Sequence, residues 1–237
     1  MSAFPILLTR QPERCAVLAA ELAPMGYEVH VQPLQAITAL SVGVTDVSSV
    51  DGVIITSQNA LHGLEGLPRT LPVYAVGQET VGKIREIGFI TVAWQPTAEE
   101  LVEVLKTSKS RSFLYLSGDY ISRDFGASLK PYGAAVQRVI AYRADPVSGF
   151  SRETLALLAS GREVAVMFFS GRPIRIFLDL LARHDLEDAA SRMTALVIHP
   201  RYRDACRDFA VCHAAAEPSQ WGMVALAEKI HAMHHSI

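Results

Sequence analysis

Val164-Ala-Val-Met-Phe-Phe-Ser170, followed by Gly171-Arg-Pro-Ile-Arg-Ile-Phe-Leu-Asp-Leu-Leu181, is the stretch whose reading decides the fold. Its first six residues are apolar without a break. A strand with one wet face alternates, so an unbroken apolar run marks a strand covered on both faces, the habit of parallel sheets. The period then changes. Ile174, Phe177, Leu178 and Leu181 recur at three- and four-residue spacing, which lines one face of a helix over Pro173–Leu181. Ser170 stands at the junction, where its hydroxyl suits an N-cap. The stretch is one strand–turn–helix unit.

The same unit recurs on either side of it. Candidate strands are Ile6–Thr9, Glu28–Gln32, Gly52–Thr56, Val73–Val76, Ile90–Ala93, Phe113–Leu116, Val136–Ala141, Val164–Phe169, Ala195–His199 and Phe209–Cys212. Amphipathic runs at Pro12–Leu22 and Ala98–Leu105 lie between them, and Thr97-Ala-Glu-Glu100 reads as a capping box. Such alternation argues an α/β protein with right-handed crossovers and helices on both sheet faces. It also repeats as a whole. Ile6–Arg10 is echoed by Phe113–Gly118, Asp51–Ser57 by Val164–Ser170, Val73–Gly77 by Ala195–His199, and Gln95-Pro-Thr97 by Glu217-Pro-Ser219, at offsets of 107 to 122 residues. Two similar halves predict two similar lobes and a cleft between them, with ligands at the carboxyl ends of the strands.

Composition excludes several classes. Half of the 237 residues are hydrophobic and 19% are charged, enough apolar side chain for a sizeable core. Lys and Arg number 22 against 24 Asp and Glu, so grip on a nucleic-acid backbone is not the expected business. No apolar run is long enough to span a bilayer. Arg10 and Arg14 fall where a secretion signal would still be apolar. Cys15, Cys206 and Cys212 are too few and scattered for a disulfide scaffold, which favours a reducing, cytoplasmic setting.

The turns carry the chemistry. Ser57, with Asn59, and Ser170, with Gly171 and Arg172, end buried strands and start helices, so free helical amides would face an anionic ligand there. Plain capping is the other reading of each turn. Gly77-Gln-Glu-Thr-Val-Gly-Lys83 has the spacing of a phosphate-binding P-loop, but the next residue is Ile84 where Ser or Thr is needed. Gly82 and Lys83 fit inside a helix, and Gly77 with Thr80 fits a tight turn ahead of its amides. Arg10, Arg172, Arg201 and Arg203 sit at strand ends, where guanidinium groups suit carboxylates. The Cys206–Cys212–His213 cluster lacks a second ligand pair at zinc spacing, and His231, His234 and His235 read as a frayed polar tail rather than a metal site. Tyr142, in Val139-Ile-Ala-Tyr-Arg-Ala144, either offers a phenol to a departing hydroxyl or packs a linker strand.

In order, Leu7-Leu-Thr-Arg10, Gly26-Tyr-Glu-Val29, Pro33-Leu34, Asp51-Gly-Val-Ile-Ile-Thr-Ser-Gln-Asn-Ala60, Tyr74-Ala-Val-Gly-Gln-Glu-Thr80, Leu114-Tyr-Leu-Ser-Gly118, Val139-Ile-Ala-Tyr142 and Phe168-Phe-Ser170 resemble the uroporphyrinogen-III synthase family over nearly the whole chain. The resemblance implies two flavodoxin-like lobes joined by a two-stranded antiparallel connector, lobe one being 1–34 plus 145–237 and lobe two 35–144. It implies a cyclising hydro-lyase that converts hydroxymethylbilane to uroporphyrinogen III with loss of water and inversion of the last pyrrole ring, in tetrapyrrole biosynthesis. It implies no metal and no organic cofactor. The sequence suggests no obligate partner, so a monomer without nucleic-acid or membrane partners is expected, with at most a transient contact with the preceding enzyme of the pathway. Tyr142 matches the family tyrosine proposed to help the hydroxyl leave, and Ser57, Asn59, Thr80 and Ser170 match cleft positions. Gly77, Gly118, Gly171, Arg10, Arg172 and Arg201 complete the expected substrate-binding set. One departure stands out: His199-Pro200-Arg201-Tyr202 replaces the family's second small glycine turn. A non-catalytic two-lobed sensor of an anionic small molecule remains the alternative, and a nucleotide enzyme resting on Gly77–Lys83 the weaker one.

Overall fold

A computed structural model describes residues 3–43 and 46–234. The chain forms β1 (Phe4–Leu8), α1 (Pro12–Leu22), β2 (Tyr27–Val31), β3 (Gln35–Ala39), β4 (Gly52–Ile55), β5 (Val73–Val76), α2 (Gln78–Glu86), β6 (Thr91–Gln95), α3 (Ala98–Lys106) and β7 (Ser112–Gly118). It continues through α4 (Phe125–Leu129), β8 (Ala135–Pro146), α5 (Arg152–Ala159), β9 (Val164–Phe168), α6 (Gly171–Arg183), α7 (Glu187–Ala190), β10 (Met193–Val197), β11 (Val211–Ala214) and α8 (Gln220–His234). Two 3₁₀ segments, Gln58–Leu64 and Pro200–Cys206, follow β4 and β10. The chain divides into two compact units, 1–36 with 146–237, and 37–145.

In the discontinuous unit the strand order is β11-β10-β9-β1-β2, every neighbouring pair parallel. β1 and β9 are buried along their whole length. Their side chains divide between two cores. Leu7, Val164, Val166 and Phe168 face α5, α6 and α7, while Ile6, Leu8, Ala165 and Met167 face α1 and α8. A strand that alternates between two apolar layers must be apolar at every position, and this explains the unbroken run at 164–169.

The other unit repeats the plan. Its sheet has the order β3-β8-β7-β4-β5-β6, parallel from β8 to β6. Val53, Ile55, Leu114 and Leu116 face α2 and the 58–64 segment, and Ile54, Phe113 and Tyr115 face α3 and α4. The order β8-β7-β4-β5-β6 corresponds strand for strand to β2-β1-β9-β10-β11, the order that the sequence echoes require. Thr97 and Glu100 close the anticipated capping box at the start of α3, with Glu100 N on Thr97 Oγ1 at 3.2 Å and Thr97 N on the Glu100 carboxylate at 3.1 Å.

Several local expectations change. Gln35–Ala39 is a strand, and β8 runs well past the expected Ala141. Its later half lies beside β3: Leu40 N donates to Ala141 O at 2.8 Å and Val147 N to Leu34 O at 3.1 Å, so the two strands run in opposite directions. Both strands are largely exposed and carry polar side chains, which hid their length. The helices expected after Ser57 and after His199 are 3₁₀ segments. A seven-residue 3₁₀ helix covers about 14 Å against about 10 Å for an α-helix, and so returns along a strand of this length with fewer residues. The C-terminal histidines are not a frayed tail. The His231 ring packs tilted 5.0 Å from Tyr27, the His234 ring tilted 4.0 Å from Phe4, and His234 Nε2 lies 2.8 Å from Glu163 Oε2. His235 lies outside the described residues. Among those residues no helix is long and apolar enough to cross a membrane.

Candidate functional site

The candidate residues fall at the carboxyl edges of adjacent strands in each unit. In 37–145 these strands are β7, β4 and β5. β4 ends at Thr56, whose hydroxyl meets the Tyr115 phenol at 3.1 Å. Burial pushes Tyr115 above the ordinary tyrosine range, so it stays a neutral hydroxyl that ties β7 to the end of β4. Ser57 follows with extended backbone, and its Oγ accepts from Asn59 N at 3.3 Å, an N-cap to the 3₁₀ segment. β5 ends at Gly77. Its φ of 83° and ψ of 135° lie where a side chain is strained, so glycine is required for the chain to turn into α2. Gly77 N donates to Gln95 O at 2.9 Å, and Thr80 is buried in the first turn of α2. Glu79 stands in that same turn and accepts from Gln58 Nε2 at 3.2 Å, so one carboxylate already sits at this helix start. Gly82 and Lys83 lie within α2, as the sequence suggested, which removes the P-loop geometry.

Gly118 and Tyr142 meet at the end of β7. A Cβ added to Gly118 would lie 2.7 Å from Tyr142 Cζ and 2.9 Å from its hydroxyl oxygen. The phenol therefore rests on a bare backbone, with its ring half-buried against the core formed by Leu114 and Leu116. The 118 side of this pair is irregular: the register slips between Ser117 and Gly118, so that Ser117 faces Ile140 while Gly118 faces Tyr142.

The discontinuous unit presents β1, β9 and β10. Arg10 lies over the Phe169 ring at 4.3 Å and donates from Nη1 to Gln220 Oε1 at 3.2 Å. Ser170 occupies the N-cap of α6 with extended backbone, but its side chain makes no capping hydrogen bond, contrary to the expectation. The hydroxyl of Ser57 is turned toward its own helix amide; that of Ser170 is not. Gly171 opens α6 against the Tyr202 ring, since a Cβ there would lie 3.1 Å from Tyr202 Cδ1. Arg172 is the next residue of α6 and is half-buried.

The replaced turn after β10 is a built structure. His199 Nδ1 accepts from Arg201 N at 3.1 Å, capping the 200–206 segment in place of a glycine. The accepting nitrogen carries no proton, which places the ring hydrogen on Nε2. Arg201 donates from Nη2 to the Tyr202 hydroxyl at 2.9 Å and lies exposed over that ring. At the other end of this segment Cys206 and Cys212 are neighbouring thiols. Their interaction, with burial, holds Cys206 above the usual thiol range, and the same interaction, with Arg203 adding to it, holds Cys212 below it. All three cysteines are free thiols, and no group of three metal-ligating side chains occurs among the described residues.

Each unit thus brings its own candidates together: Ser57, Asn59, Gly77, Thr80, Gly118 and Tyr142 in one, and Arg10, Ser170, Gly171, Arg172 and Arg201 in the other. Tyr115, Thr56, Tyr202 and Arg138 were not anticipated beside them. A tyrosine inside an otherwise apolar strand, as at 115, is the one signal that was available.

A family model described as uroporphyrinogen-III synthase HemD matches residues 16–225. The chain belongs to the uroporphyrinogen-III synthase family. The members of this family are cyclising lyases of tetrapyrrole synthesis. The solved uroporphyrinogen-III synthetase of Helicobacter pylori superposes with a TM-score of 0.63 at 17% identity, over 96% of this chain and 99% of that one. A mutant uroporphyrinogen III synthase from the extreme thermophile Thermus thermophilus gives 0.65 at 18% identity, over 98% of this chain and 100% of that one. At such identities these likenesses speak for the fold. Comparison with curated protein sequences finds no match.

Proposed function

We propose that the chain cyclises hydroxymethylbilane to uroporphyrinogen III, with Tyr142 assisting departure of the hydroxyl and the strand-end turns holding the substrate's carboxylates. The observation that carries this reading is the phenol of Tyr142 laid on Gly118 at the carboxyl edge of β7, within a chain of this family. Transfer of the phenol's proton to the hydroxymethyl oxygen as the C–O bond breaks lets it leave as water, and the proton released on ring closure restores the phenol. The cation left behind is delocalised over the adjoining pyrrole, so modest proton delivery suffices. The discrimination lies in geometry. Ring closure must occur at the substituted carbon of the last pyrrole through a spiro intermediate, and holding the chain for that attack is catalysis by orientation.

The substrate has eight carboxylates by the family's chemistry, and the candidate donors suit them. The helix starts of α2 and α6 favour anions, the Ser170 hydroxyl makes no capping hydrogen bond, and Arg10, Arg172 and Arg201 supply charge. Ser57, Asn59, Gly77, Thr80 and Gly171 complete the set. The 3₁₀ segment after β10 offers Arg201 where a glycine turn would offer amides. No step of this reading needs a metal or organic cofactor. The reading takes the chain as a cytoplasmic monomer, with at most a transient contact to the enzyme that delivers the substrate.

The test supplies enzymatically generated hydroxymethylbilane to the purified chain, oxidises the products and separates the isomers. Isomer III above the spontaneous background is the expected product. Isomer I alone, at the uncatalysed rate, rejects the reading. Thermal stabilisation by tetrapyrrole carboxylates without turnover would move the chain to the class of binding modules.

A further inference from the structure

The β7–β8 pair is bulged beside Tyr142, and one guanidinium spans the bulge. Pairing passes from Ser117–Ile140 to Gly118–Tyr142, so Ala141 is the extra residue on β8. A bulge interrupts the ladder and leaves backbone groups to be satisfied in another way. Arg138, two residues before Ile140 on β8, does this across the strands. Its Nε donates to Ser117 Oγ at 2.8 Å, and its Nη2 donates to Gly118 O at 2.7 Å and to Asp119 O at 2.7 Å. Ser117 is fully buried and passes its own hydrogen to Gly118 O at 2.9 Å. Asp119 closes the arrangement: its amide donates to Tyr142 O at 3.0 Å and its carboxylate accepts from Ala144 N at 3.3 Å. The backbone of 117–119, on which the Tyr142 ring lies, is therefore bound to the same strand on both sides of that ring.

We propose that Arg138 is a positioning residue for Tyr142. It fixes the carbonyls of Gly118 and Asp119, and through them the platform that aims the phenol. This rests on the role given to Tyr142 above. Three acceptors in a fork match a planar guanidinium, and a lysine ammonium on a flexible stem cannot span them in one geometry. The residue acts through Tyr142, so its effect must vanish when the phenol is absent.

The experiment compares R138Q, R138K, S117A, Y142F and the double variant R138Q/Y142F in the full chain, measuring kcat and KM for isomer III formation. R138Q is expected to lower kcat about 10-fold with KM held within about twofold, the cost of a misplaced group rather than of a lost binding contact. R138K is expected to restore only part of that loss. On the Y142F background the same R138Q change is expected to cost less than about twofold, because coupled residues are not additive. An undiminished 10-fold loss there, an unchanged kcat in R138Q, or a rise in KM alone would overturn the proposal. S117A removes one acceptor and keeps the strand; it is expected to lower kcat about two- to threefold, on the order set by one neutral hydrogen bond, and no change overturns the proposal even if R138Q fails to fold. A ring-labelled tyrosine NMR spectrum reads the placement without activity. The Tyr142 signal, identified by its loss in Y142F, is expected to move in R138Q, and a stationary signal overturns the proposal. Production of isomer I alone by the wild type would instead reject the function, and the spectrum would still decide the placement.

Discussion

The two units share one strand order and spend it differently. In 37–145, the turn after β4 is a short 3₁₀ segment with a capped serine, and the turn after β5 is an open glycine leading into the α-helix α2. In the discontinuous unit the assignment is reversed. β9 leads into the long α-helix α6 with an uncapped serine, and β10 into a 3₁₀ segment capped by a histidine. Each unit also sets a tyrosine on a glycine, Tyr142 on Gly118 and Tyr202 on Gly171. The phenol of Tyr142 lies on a bulged platform braced by Arg138, whereas that of Tyr202 is engaged by the exposed Arg201. A duplicated scaffold thus carries one tyrosine on a braced, bulged platform and one whose hydroxyl is held by the arginine beside it. The difference lies in strand pairing as well as in the turns: β7–β8 is bulged at Gly118, whereas β1–β2 keeps one register throughout.

The sharpest way to break this comparison is to remove the two hydroxyls separately. Y142F keeps the ring on Gly118 and is expected to slow isomer III formation about 10²-fold, the scale of general-acid assistance. Y202F is expected to cost less than about threefold, since it loses one contact to an exposed arginine. Equal losses would erase the distinction between the two tyrosines.

The two strand-end turns give a smaller, structural contrast. G77A forces a side chain into a conformation that costs about 1–3 kcal/mol. H199A removes a single cap worth about 1 kcal/mol. Denaturant melts of both variants check the order, and a G77A variant as stable as wild type would contradict the positive φ at that turn.

The serines give the smallest effect. S57A loses a cap and is expected to destabilise by about 1 kcal/mol. S170A has no cap to lose and is expected to stay within about 0.5 kcal/mol of wild type while raising KM, the mark of a hydroxyl directed at ligand. Matching stability losses would mean that both serines serve their helices.

Much of the scaffold was legible because its signals are local. The continuous apolar runs at Phe4–Leu8, Gly52–Ile55 and Val164–Phe168 follow directly from being covered on two faces. Thr97 and Glu100 are three residues apart, so their reciprocal cap can be read in one line of sequence. β3 and β8 were harder, since each is largely exposed and carries polar residues, so neither shows a continuous apolar run. His231 and His234 looked like a solvated tail because their partners, Tyr27 and Phe4, lie at the other end of the chain.

At the candidate site, local pattern was enough to show which residues stand at strand ends: a buried strand must stop where polar turn residues begin, and Ser57, Gly77, Gly118 and Ser170 mark those stops. What each one touches came from the packing of distant segments. The fold turned Ser57 inward and left Ser170 uncapped, seated Tyr142 and Tyr202 on distant glycines, and gave the carbonyls of Gly118 and Asp119 to Arg138. Backbone acceptors carry no side-chain signature, and a one-residue bulge that brings them to a guanidinium is a property of strand pairing, which no single segment encodes.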